Sequence, residues 1–181
     1  MFLKRGDRIR FTCIRCGRCC STGPNVALTI FDICRIAKYL NMEWRDLRGK
    51  YVYLYVADVI PIPVIRGLGD KCVFLVFNDV LPECSIYPVR PMRCRLYPFL
   101  PISPGDKNKL SYDKYCLGIG EGFEIEPPWE ILEKYYDELK LQYSLIYDYV
   151  FNKGYEPVNA IEEILDKTCS ENTRVNQFAQ K

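Results

Sequence analysis

Histidine is absent from all 181 residues. That excludes Cys–His and Ser–His–Asp nucleophile systems, an imidazole general base and mixed Cys/His zinc fingers. A metal held mainly by side chains must here use thiolates, carboxylates or both. Long apolar runs are also missing. The longest, residues 51–65, is broken by Asp58, Pro61 and Pro63. It falls short of the roughly 20 apolar residues that cross a bilayer. The start, MFLKRGDR, lacks the apolar stretch of a secretory signal. There is no Walker A sequence, and Gly118-Ile119-Gly120-Glu121-Gly122 lacks the spacing and flanking elements of a dinucleotide loop. A turn after Cys116 is the expectation there.

What the chain has instead is ten cysteines. It is 49% hydrophobic and 14% aromatic, enough to bury a core. Disulfide scaffolds are usually small chains that cannot do so. The expectation is one domain, residues 1–181, in a cytoplasmic protein whose clustered cysteines bind metal or do redox work. Intracellular disulfides of the hyperthermophile kind stay open as an exception. The net charge of +2 hides an asymmetry. Residues 1–120 carry 19 Lys/Arg against 10 Asp/Glu, and residues 121–171 carry 4 against 13. The basic part holds most of the cysteines.

Residues 1–12 read as a basic arm or edge strand, and residues 13–24 (CIRCGRCCSTGP) as loop. A helix should follow Thr29 as N-cap, with Asp32 completing a capping box and Ile33, Ala37 and Leu40 at helical spacing. Residues 43–50 suggest a short helical turn. Residues 51–66 are β-rich, with prolines demoting the second part to an edge or irregular strand. Residues 72–77 read as a short buried strand, and residues 81–115, with six prolines, as turns. Leu132, Tyr135, Leu139, Tyr143, Ile146 and Val150 then step by three or four through a long helix over 128–153, with Gly154 as its stop. A second helix over 158–169 carries Ala160, Ile161, Ile164 and Leu165. The polar residues from 171 on are expected to form a flexible tail. The fold class is α+β: a small irregular β core stapled by bound metal, an N-terminal helix and a C-terminal helical pair.

Cys13-x2-Cys16-x2-Cys19-Cys20 is the strongest signal. A C-x2-C spacing lets two thiolates reach one metal while backbone N–H groups point at the sulfurs. The triple spacing matches a run that supplies three ligands to a 4Fe–4S cluster. In an extended segment Cys19 and Cys20 would point opposite ways, serving two centres or one centre and a resolving thiol. Cys72, Cys84, Cys94 and Cys116 add four thiols. Eight thiolates satisfy two four-cysteine centres, or one with thiols to spare. Arg15, Arg18, Arg90, Arg93 and Arg95 lie nearby in sequence and can offset the negative charge. Cys34 and Cys169 fall on apolar helix faces and read as small core hydrophobes.

FTCIRCGRCC at 11–20, KCVFLV at 71–76, ECSIYPVRPMRCRLYPF at 83–99 and YCLGIG at 115–120 resemble the CxxCxxCC, or YkgJ-like, cysteine-cluster family. Its members are described as zinc- or iron-chelating and often as iron–sulfur oxidoreductases, with no established reaction for most. The resemblance places the family pattern on Cys13, Cys16, Cys19, Cys20, Cys72, Cys84, Cys94 and Cys116, with Arg90, Pro91 and Arg95. A looser similarity to flagellin lysine N-methylases implies a cluster-dependent methyltransferase using S-adenosylmethionine.

Three functions are therefore expected. The first is an intracellular protein holding at least one 4Fe–4S cluster and serving electron transfer or redox work with a protein partner. The second is a structural zinc module binding protein or nucleic acid, for which the arm of Lys4, Arg5, Arg8 and Arg10 is the candidate surface. The third is the methyltransferase.

Overall fold

The computed structural model describes residues 2–21, 26–78 and 81–178, the last eight of these as backbone only. It is an α+β chain of short strands in small sheets, with helices packed around them. Strands β1 (Leu3–Lys4) and β2 (Ile9–Phe11) open the chain. The four-residue helix α1 (Arg18–Ser21) stands where loop was expected. Helix α2 (Ile30–Leu40) starts at the capping box read from the sequence. Thr29 Oγ1 accepts from the Asp32 N–H, and the Asp32 carboxylate accepts from the Thr29 N–H, each at 3.0 Å. The short α3 (Trp44–Leu47) follows.

Strands β3 (Val52–Ala57) and β4 (Ile60–Ile65) form an antiparallel hairpin in continuous register, prolines included. Strands β5 (Gly67–Leu68) and β6 (Lys71–Cys72) make a second hairpin, and β7 (Leu75–Asn78) and β8 (Leu81–Cys84) a third. The single buried strand expected over 72–77 is therefore two strands of different hairpins. Its second half is not buried either, since Val76 and Phe77 are exposed. Within 81–115 the chain forms a 3-10 turn (Tyr87–Val89), helix α4 (Met92–Leu96) and strands β9 (Phe99–Pro101) and β10 (Lys109–Tyr112). Strand β10 lies between β1 and β9. Strand β11 (Ile119–Ile125) pairs with β2 through a register shift between Ile119 and Glu124. The glycine segment expected as a turn is thus largely this bulged strand. Gly120 and Gly122 supply the positive φ angles of the bulge.

Helix α5 (Trp129–Tyr147) runs into a π turn (Asp148–Asn152) and stops before Gly154, at φ 72°. Helix α6 (Pro157–Phe178) buries Ala160, Ile161, Ile164 and Leu165, the stripe read from the sequence. Of the predicted tail, residues 171–178 continue the backbone of α6, and residues 179–181 lie outside the described residues. No described helix is long and apolar enough to cross a membrane.

Two hydrophobic clusters organise the molecule. One joins α2, α3, the β3–β4 hairpin and α6; the other joins β1, α4, β9, β10 and the first half of α5. Helix α5 contributes to both through Leu132 and Ile146. One sequence expectation is corrected here. Cys34 and Cys169 are not free core thiols but a disulfide between α2 and α6, with Cα atoms 5.0 Å apart. Two apolar stripes packed face to face bring these side chains within bridging distance, and 135 residues of sequence separation hid the pairing.

The charge asymmetry also resolves. Arg5 pairs with Glu133, Arg35 with Glu138, Arg45 with Asp166, Arg48 with Glu162 and Lys107 with Asp137. The acidic helices α5 and α6 thus answer the basic first part of the chain. In the N-terminal arm, Arg8 donates to the Glu124 carbonyl and Arg10 to that of Gly122.

Candidate metal centre

All eight thiols outside the disulfide line one cavity of about 640 Å3. It lies between the two hydrophobic clusters, with Ile65, Phe74 and Ile86 of the first on one side and Phe99 of the second on another. Five chain segments supply the sulfurs.

The first segment is held by its glycine. Gly17 has φ 70°, and a Cβ there would lie 2.5 Å from Pro82 on β8. Only glycine lets the Cys16–Arg18 turn sit this close to the β7–β8 hairpin. Cys19 and Cys20 follow on α1, not on an extended segment. Helical geometry aims successive side chains about 100° apart, and the two sulfurs are 3.8 Å from each other.

Cys72 ends β6. Cys84 ends β8 opposite Leu75, and the next residue ties it back, since Ser85 donates its N–H to the Phe74 carbonyl at 2.9 Å. Cys94 sits on α4, whose first N–H, from Met92, donates to Asp32 Oδ1 at 3.1 Å. Cys116 follows a turn built on Asp113. The Asp113 carbonyl accepts the Cys116 N–H at 3.1 Å and its carboxylate accepts the Tyr97 hydroxyl at 2.8 Å.

The electrostatics suit thiolate ligation. Burial pushes the Cys72, Cys84, Cys94 and Cys116 thiols up, and neighbouring thiolates add to the shift. Backbone N–H groups oppose it: those of Phe74 and Leu75 favour the Cys72 thiolate, that of Ile86 the Cys84 thiolate and that of Gly118 the Cys116 thiolate. Cys19 and Cys20 are in hydrogen-bond contact. The hydrogen bond from Cys20 brings Cys19 down to about 7, and the same contact holds Cys20 up. Buried thiols that repel one another as thiolates, yet face N–H donors, suit a bound cation that replaces their protons.

The arginines divide. Arg15, Arg18, Arg90 and Arg93 line the cavity. The positive charge of Arg90 favours the thiolates of Cys19 and Cys84. Arg18 donates to the Tyr115 carbonyl at 3.2 Å, and Arg90 and Arg15 both lie over the Tyr87 ring. Arg95 faces elsewhere, donating to the carbonyls of Arg90 and Pro88 at 2.8 and 3.0 Å. It braces the turn that carries Arg90.

The thiols ring the cavity rather than meet at a point. As they stand, no three His, Cys, Asp or Glu side chains among the described residues are grouped tightly enough to hold an ion. A lone zinc ion, with sulfurs at about 2.3 Å, would fill only a small part of the space.

Sequence reasoning missed the groups that support the site. Arg35 bridges Asp32 at 2.5 Å and Glu138 at 2.6 Å. Thr29 Oγ1 donates to Glu138, and the Ile30 N–H donates to Gln142. Burial raises the Asp32 carboxyl and Arg35 opposes it. This network locks α2 to α5 and, through Asp32, holds the start of the Cys94 helix. Its only sequence trace is the capping box. Asp113, three residues before Cys116, carried no signal beyond its fit to a turn.

The chain is 34% identical over 143 residues to an uncharacterized protein of Methanocaldococcus jannaschii, a match covering 75% of this chain and 70% of that one. No solved structure matches it. Residues 12–117 match the CxxCxxCC family, described as a "putative zinc- or iron-chelating domain". That span takes in all eight cavity thiols, and the chain belongs to this family.

Proposed function

We propose that this chain is an intracellular metalloprotein whose eight cavity thiols hold at least one iron–sulfur cluster, and that it serves electron transfer or redox work with a protein partner. One observation carries the reading: the eight thiols, drawn from five chain segments, line a single cavity together with four arginines. When bound, the cluster supplies a one-electron centre. The chain's own residues ligate it, shield it and set its electrostatics. Arg15, Arg18, Arg90 and Arg93 offset the thiolate charge and favour the more negative, reduced state. The volume of the cavity favours a multi-atom group over a lone ion. Ile14, Tyr115 and Leu117, all exposed beside the cysteines, offer a partner apolar contact near the thiols.

Anaerobic purification followed by metal and sulfide analysis tests this. Iron and acid-labile sulfide in near-equal amounts, with a brown colour that bleaches on dithionite, is the expected result. A colourless protein with stoichiometric zinc would overturn the cluster in favour of a structural zinc module, which the same thiols and N–H donors also suit.

A further inference from the structure

We propose that the eight thiols form two adjacent four-thiolate centres: an inner one from Cys20, Cys72, Cys84 and Cys94, and an outer one from Cys13, Cys16, Cys19 and Cys116. This deepens the metal-binding reading and rests on it.

Backbone pairing makes the division. Beyond the end of β2, the Thr12 N–H donates to the Gly118 carbonyl at 3.2 Å, and a Cβ on Gly118 would lie 2.2 Å from the Thr12 carbonyl oxygen. Cys13 and Cys116 flank this close approach. Arg18, between Cys16 and Cys19, donates to the carbonyl next to Cys116. The outer set is thus one strand pair, the turn that follows it and, for Cys19, the start of α1. The inner set has separate supports. Helix α1 packs on β6, bringing Cys20 towards Cys72. The bond from Ser85 to Phe74 links the Cys84 and Cys72 segments, and Asp32 holds the start of the Cys94 helix.

Exposure follows the same line. Three of the outer thiols, Cys13, Cys16 and Cys19, are exposed, whereas Cys72 is buried and Cys20, Cys84 and Cys94 are half-buried; Cys116 is also half-buried and is placed in the outer set by its backbone pairing alone. Cys19 stands at the boundary, 3.8 Å from Cys20. Exposure and the C-x2-C-x2-C spacing assign it outward.

The test is an anaerobic Co2+ titration of the metal-free full chain. Thiolate-to-cobalt charge-transfer absorption and native mass spectrometry report the bound ions, and circular dichroism reports folding. The wild type should bind two ions. Cys13→Ser, Cys116→Ser and their double variant should each bind one, because all three damage the same centre. Cys72→Ser and Cys84→Ser should also bind one, and Cys72→Ser with Cys116→Ser none. A chelator should strip one wild-type ion faster than the other, and the fast phase should be missing in Cys116→Ser. If the inner variants fail to fold, the outer three still decide. The partition is overturned if the wild type binds a single ion. It is also overturned if a folded outer single variant binds none, or still binds two, or if the outer double variant loses both ions where each single loses one. A wild-type chain that takes up no cobalt at all instead overturns the metal-binding reading itself.

Discussion

Asp32 does three jobs from one buried position. It closes the capping box of α2, pairs with Arg35 and holds the first N–H of the Cys94 helix. Removing one member of a buried ion network leaves its partners unsatisfied. Asp32→Ala should therefore cost about 3 kcal/mol in denaturant unfolding, far more than a surface capping residue. The cysteines differ by place in the same way. Cys94→Ser should lose metal, measured as bound iron or zinc per chain, whereas Cys34→Ser should keep it, because Cys34 is bridged to Cys169 and does not line the cavity. Equal loss in the two variants would contradict the assignment.

Among the elements, the β2–β11 pair matters most to the site, because it joins the two ends of the family's cysteine pattern. Gly118 has no room for a methyl group against the Thr12 carbonyl. Gly118→Ala should force the strands apart, costing about 1–3 kcal/mol. It should also lower metal content, although no ligand is touched, which metal analysis of the folded variant reads directly. Helices α3 and α6 are joined by a more exposed contact. Arg45 and Trp44 donate to Asp166 and hold its carboxyl below the usual carboxylate range. A carboxylate depressed on folding contributes stability that is present above its ordinary pKa and lost as pH falls through the depressed value. Arg45→Met should thus be slightly less stable than wild type at neutral pH, as expected for an exposed ion pair. The two stabilities should converge in acid, as followed by denaturant titrations across pH.

At the scale of the whole molecule, a disulfide and ion pairs join what ordinary secondary structure does not. Strands of two to seven residues in small sheets give little independent stability. The Cys34–Cys169 bridge closes 135 residues of chain. Reducing it, or replacing either cysteine, should cost roughly 2–5 kcal/mol and lower the melting temperature in calorimetry while metal content is retained. The acidic helices and the basic first part complement each other within the chain. Five Lys/Arg side chains of residues 1–120 are paired by carboxylates of α5 and α6, mostly at the surface.

The legible features were those with a local cause. Absence of histidine confined side-chain ligation to sulfur and carboxylate. The C-x2-C-x2-C-C spacing marked the loop, Thr29 and Asp32 marked the start of α2, and the apolar steps of α5 and α6 marked their buried faces. The illegible features depend on residues far apart in the chain. The strands over 51–66 were legible, the second as an edge or irregular one, but not their pairing, and glycine content hid β11, because strand pairing decided both. The Cys34–Cys169 bridge, the Arg35–Glu138 pair and the gathering of eight thiols from five segments carry no periodic or spacing signal. The first two arise where α5 and α6 pack on α2, and the thiols gather where α1, α4, the short hairpins and the β2–β11 pair meet. By itself the sequence determined which chemistry the site can use and where the long helices α2, α5 and α6 lie, but not the short α1 and α4 that carry cysteines. Only the tertiary structure decided which thiols face one another, because that depends on long-range packing and hydrogen bonds that no local pattern encodes.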